Sequence, residues 1–152
     1  MKIILSKIKV KILCFVVSML LILNKTLIQI VPFKKLITFY ANTSYPIPCG
    51  EIQKRKARII HNAINRHEKI LFWKPVCFEK ALTAMMLARI FHLPATVYFG
   101  IMKTDQGTML AHAWSQIGEY WITGYENKDG FTIVYTMYYA PTETGRTRWN
   151  LN

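Results

Sequence analysis

Cysteine is scarce in this chain: three residues in 152, Cys14, Cys49 and Cys77, widely spaced and with no C-x-x-C pair. An odd, sparse set argues against a disulfide framework and against a cysteine zinc site, and it fits a reducing compartment. Acidic side chains are few as well. Eight Asp and Glu stand against twenty Lys and Arg, a formal net charge of +12. That balance suits an anionic partner: nucleic acid, a membrane surface, or an acidic protein or peptide. The motifs that would choose nucleic acid are missing. There is no glycine-rich phosphate loop, no Walker motif and no aromatic RNA-binding motif. Internal repeats and low-complexity tracts are also absent. So is a long uninterrupted apolar run: Ile12 to Leu23 is followed by Asn24-Lys25 before a second run, Leu27 to Val31.

What is present is apolar enough to fold. Hydrophobic residues make up 52% of the chain, which excludes disorder, and the length allows one domain with a sizeable core. The expected organisation is an apolar, basic, helical segment and loop over 1–50, then a core over 51–152. Lys2, Lys7, Lys9 and Lys11 ahead of an apolar run resemble a secretory signal, but no small-x-small cleavage site follows. Met1 to Tyr40 therefore reads as one or two helices covering the core. The alternatives are a helix on a membrane surface, or a signal or anchor. Ala41 to Gly50, with Pro46, Pro48 and Gly50, reads as a loop that carries Cys49. Glu51 to Lys69 reads as an amphipathic basic helix. His61 and His67, six residues apart on it, do not share a metal-binding face and read as surface residues.

The chemistry centres on Cys77 and on His112, 35 residues later. Pro75 precedes the cysteine where helices commonly start. Phe78, Leu82, Met85, Met86 and Phe91 then recur at helical spacing, and Pro94 ends the pattern. Ala95 to Ile101, Thr108 to Ile117, Tyr120 to Thr123 and Phe131 to Tyr139 read as strands, with turns at Asp105-Gln106-Gly107 and Gly118-Glu119. The expected class is α+β: N-terminal helices, and a Cys-bearing helix packed on an antiparallel sheet. A thiol at a helix N-terminus is favoured as thiolate, and an imidazole on a neighbouring strand can serve as base and acid. Unlinked, the same two residues would be a buried cysteine and a core histidine. Trp114 shares a strand face with His112 and belongs beside the site or in the core.

Cys77-Phe78-Glu79-Lys80-Ala81-Leu82, Leu93 to Ile101 and Ala111-His112-Ala113-Trp114 together resemble the lasso-peptide biosynthesis B2 proteins. These are leader peptidases of the transglutaminase-like, papain-related cysteine peptidase superfamily. Gly118 to Gly124 and Phe131 to Val134 are similar to their C-terminal strands, and the likeness spans roughly residues 70 to 139. Pro32-Phe33 resembles the Pro-Phe near the end of their apolar N-terminal part. The sequence departs from the pattern at Lys80, where Arg is usual, and at His92, where Gly is common.

The resemblance implies a cytoplasmic cysteine peptidase that removes the leader from a ribosomally made lasso-peptide precursor before macrolactam closure. Cys77 would be the nucleophile and His112 the base. A carboxylate on the strand after the histidine would orient the ring, but Ile122-Thr123-Gly124 stands there. Glu126 is then the first choice, Asp129 the second, and Thr123 or a backbone carbonyl the fallback. No cofactor and no metal are implied. The implied partners are the precursor leader peptide, a small B1-type leader-recognition protein and an ATP-dependent, asparagine-synthetase-like lasso cyclase. Membrane-surface contact through the N-terminal helix is a further expectation, and nucleic acid is not expected. Two other classes fit the same residues: an acyl or amide transferase of this fold, and a non-enzymatic basic membrane-associated protein.

Overall fold

The computed structural model describes residues 2–41, 50–68 and 72–141, with side chains from residue 11 onward. The expected 41–50 loop, with Cys49, lies almost wholly outside these residues. Four helices precede and cover one sheet: α1 (Lys2–Ile30), α2 (Phe33–Tyr40), α3 (Glu51–Glu68) and α4 (Cys77–Ile90). The strands are β1 (Ala95–Lys103), β2 (Met109–Ile117), β3 (Tyr120–Thr123) and β4 (Thr132–Tyr139). They form an antiparallel sheet in the order β3-β2-β1-β4. The class is α+β.

Asn24-Lys25 does not break the first helix. α1 runs through it because Asn24 is not left exposed to solvent or unpaired in the core. Its Nδ2 donates to Thr83 Oγ1 at 3.0 Å, and its Oδ1 accepts from the Tyr40 hydroxyl at 2.6 Å. Asn24, Tyr40 and Thr83 are all fully buried, so this triangle ties α1, α2 and α4 together with every polar partner satisfied. Burial pushes the Tyr40 hydroxyl up to about 12, against the pull of the nearby Arg89 charge. Pro32 ends α1, since helix is disfavoured in the residue before proline. Its carbonyl then accepts from Lys35 and Leu36 and starts α2.

α3 is amphipathic as its pattern predicts. Ala57, Ile60, Ala63 and Ile64 are buried, while Arg55, Lys56, Arg58 and Arg66 face solvent. The two histidines on it are not surface residues. His67 is buried against Ser18 of α1 at 3.1 Å, and burial lowers its pKa from the usual histidine value. His61 lies between Ile122 and Asn65. Spacing alone missed this because α3 is covered on the histidine side by α1 and β3.

α4 departs from a one-sided pattern. Besides Leu82 and Met85, residues Ala81, Thr83, Ala84, Leu87 and Ala88 are buried. α4 packs on α1 and α3 as well as on the sheet, so small residues are needed where neighbours approach. It ends in a Schellman motif. Leu93 N–H reaches Ala88 O at 2.8 Å and His92 N–H reaches Arg89 O at 3.2 Å. His92 takes the left-handed position with φ 53°, a conformation that glycine adopts without the Cβ conflict. Because the His92 side chain is exposed, His92→Gly is expected to raise stability by about 0.5–1 kcal/mol. Urea denaturation measures this; an unchanged or lowered midpoint would mean that the His92 side chain contributes something the exposed position does not reveal.

Candidate active site

Cys77 is the first residue of α4, after an extended Val76. Helix geometry leaves the N–H groups of the first turn without intrahelical acceptors, and the helix dipole adds positive potential there. Glu79, buried in that turn, satisfies one nearby donor: its Oε2 accepts from the Val76 N–H at 3.2 Å. Cys77 is half-buried, and its neighbour Phe78 packs at a tilt on Phe33 and edge-on against Phe99. This seats the head of α4 on β1 and on the start of α2.

His112 lies on β2 opposite Gly100 of β1. Alternation along β2 sends Ala113 and Ile117 into the core beneath the helices and puts His112 on a face with Trp114. Its ring is held from three directions: Trp114 at 5.7 Å, Phe131 at 5.2 Å and the Gly124 carbonyl. Gly100 makes this packing possible. A Cβ there would stand 2.9 Å from both Phe131 and the Trp114 ring. β3 stops at Thr123, so Gly124 is the residue that meets β2 at this level. His112 thus sits at the margin of the sheet, past the end of β3.

The bond to Gly124 settles the tautomer. A carbonyl oxygen only accepts, so the 2.8 Å contact to His112 Nε2 requires the proton on Nε2. In the neutral ring Nδ1 is then an acceptor, and among the described residues it has no partner. His61 differs. Its Nδ1–H donates to Ile122 O at 2.8 Å and its Nε2 accepts from Asn65 at 2.9 Å. Both nitrogens are occupied, so His61 is a structural clamp between α3 and β3 and has no lone pair to spare.

The carboxylates expected beside His112 are elsewhere. Glu126 is exposed in a short 3-10 turn, Tyr125–Asn127. Asp129 is exposed and paired with Lys128 at 3.1 Å. Thr123 is buried and hydrogen-bonded to Ser115 Oγ at 2.8 Å. None of the three reaches the ring in the hydrogen bonds among the described residues. The third group on the ring is the backbone carbonyl of Gly124, in the left-handed region at φ 73°. A Cβ on Gly124 would lie 2.6 Å from Ala113 O and 3.3 Å from His112 Cε1. The sequence held one signal of this: a glycine directly after the strand, where a carboxylate was sought. The same hydrogen bonds do not join the Cys77 thiol to the His112 ring. α4 packs on β2, but on the face that carries Ala113, while His112 is on the opposite face with Trp114, so the structure does not bring the thiol and the ring together.

A family model for the transglutaminase-like superfamily matches residues 36–136, well over half of the chain. The chain belongs to the transglutaminase-like superfamily. Membership is consistent with thiol-dependent peptidase or transferase chemistry. Searches of curated proteins and of solved structures give no match.

These contacts set an expectation for the ring's orienting group. Glu126→Gln and Asp129→Asn should each leave turnover within about twofold of the parent, because neither carboxylate touches the ring. Gly124→Ala should lower turnover at least about tenfold and destabilise the fold by about 1–3 kcal/mol, through the left-handed backbone and the close Ala113 carbonyl. Steady-state assays of thiol-dependent turnover, with thermal melts, read both. A large loss in Glu126→Gln with Gly124→Ala unaffected would reverse the assignment.

Proposed function

We propose that this protein is a cysteine peptidase that removes the leader segment from a ribosomally made lasso-peptide precursor. The observation that carries the catalytic part is His112: it is fixed on one side through Nε2, and its Nδ1 lone pair has no partner among the described residues. The superfamily match supports thiol chemistry, and the sequence pattern around Cys77 and His112 supports the choice of substrate.

In this reading the leader–core peptide lies across the head of α4. The reading requires the thiol and Nδ1 to come within hydrogen-bond distance at the sheet margin past the end of β3 when peptide binds; catalytic contacts are often loose in the free enzyme. The Cys77 proton passes to His112 Nδ1, and the thiolate attacks the scissile carbonyl. The N–H groups at the start of α4 stabilise the oxyanion of the tetrahedral intermediate. The imidazolium gives its proton to the departing amine, leaving a thioester on Cys77. Water, deprotonated by the neutral ring, then hydrolyses the thioester. Throughout the cycle Nε2–H stays on the Gly124 carbonyl, so the ring neither rotates nor changes tautomer. A small recognition protein would present the leader, and an ATP-dependent cyclase would consume the freed core peptide. The proposed setting is the cytoplasm.

Cys77→Ala should abolish leader release while the protein remains folded. His112→Ala should reduce turnover by about a thousandfold or more. His61→Ala should lower thermal stability but leave turnover per folded molecule within a few-fold. Iodoacetamide labelling of Cys77 separates pairing from mere proximity. Loss of His112 should slow labelling at neutral pH, because the thiol loses the base that takes its proton. An unchanged labelling rate, or cleavage by folded Cys77→Ala, would refute the Cys–His assignment.

A further inference from the structure

α1 carries two apolar stripes, and the described residues cover only one. Val17, Leu20, Leu21 and Asn24 are buried against α3 and α4. Ile12, Phe15, Met19, Ile22, Leu23 and Ile30 are exposed, and their spacing sets them along one side of the helix. Exposed lysines stand at both ends of that stripe: Lys11 before it, and Lys34 and Lys35 on α2 after it. Residues 1–50 contain seven lysines and neither Asp nor Glu. We propose that α1 lies in the plane of an anionic lipid surface, its exposed stripe in the acyl-chain boundary and the flanking lysines among acidic headgroups.

Two other occupants fit less well. By length and composition Lys11–Ile30 is apolar enough to cross a membrane. A spanning helix is surrounded by lipid, however, so Val17 and Leu21 would have to leave the core. Asn24 would also abandon Tyr40 and Thr83, carrying its own amide into lipid and stripping both of them of their amide partner. An in-plane helix keeps all of these contacts. A second copy packed stripe to stripe would bring two lysine-rich, acid-free segments together, where like charges repel. An anionic bilayer complements both the apolar stripe and the charge.

The test is co-sedimentation of the full chain with vesicles. Mixed phosphatidylcholine–phosphatidylglycerol vesicles should bind at least about tenfold more protein than pure phosphatidylcholine vesicles. Raising salt to about 0.5 M, where charge screening shortens to a few ångströms, should weaken that binding about tenfold. The triple variant Phe15→Ser/Met19→Ser/Ile22→Ser should bind about a hundredfold less. If its melt shows that it does not fold, Met19→Asp alone should still lose about tenfold. Ile133→Ser/Val134→Ser, exposed on β4 far along the chain, should bind like the parent. Equal binding to both vesicle types, salt-resistant binding, or undiminished binding by folded stripe variants would overturn the proposal. So would a dimer in light scattering that the stripe variants abolish.

Discussion

Enclosure of α4 on every side constrains the rest of the structure. A helix whose Ala81, Leu82, Thr83, Ala84, Met85, Leu87 and Ala88 are all buried needs cover that the sheet alone cannot give. α1 and α3 supply it. The cost of placing Thr83 in that interior is met by Asn24, and the cost of burying Asn24 by Tyr40. One polar chain of contacts therefore decides where two N-terminal helices dock. The same enclosure leaves Cys77, at the helix head, held by Phe78 against Phe33 and Phe99 rather than free on a loop. In the proposed role of nucleophile, a thiol carried on a rigid element would keep its position without binding energy being spent on ordering it.

On β2 a different economy operates. A carboxylate beside a catalytic imidazole does two things: it fixes the tautomer and it stabilises the imidazolium charge. The Gly124 carbonyl does the first fully and the second only through a dipole. The proposed catalytic pair would therefore have an oriented base without a carboxylate's full charge behind it. The requirement also moves from a side chain to a backbone conformation, the left-handed φ of Gly124, and to the Gly100 gap that admits Trp114 and Phe131.

The strand pattern was legible in the sequence because alternation and turn residues are local. Ala95 to Lys103, Met109 to Ile117, Tyr120 to Thr123 and Thr132 to Tyr139 fall close to where β-branched and aromatic runs put them. The helix end near Pro94 was legible for the same reason. Tertiary neighbours were not. His61 and His67 look exposed on a basic helix until α1 and β3 cover them, and α4 looks amphipathic until its small residues meet partners. Asn24 reads as an interruption only when its buried acceptor and donor are unknown. The ring partner of His112 was hard to see for a deeper reason. Every residue carries a carbonyl, so a backbone acceptor leaves no side-chain signature beyond the glycine that lets it turn.

The Tyr40 hydroxyl makes one seam of this protein sensitive to alkali. An unfolded chain gives up that proton near pH 10, the folded one at about 12. The neutral phenol is thus the form that folding selects. Its contribution is complete below pH 10 and drains away as the medium approaches 12. A phenolate could no longer donate to Asn24, and two oxygens would face each other at the junction of three helices. Strong base should therefore loosen the N-terminal helices at their shared buried junction, while the sheet, whose strands hold one another through backbone bonds, outlasts them.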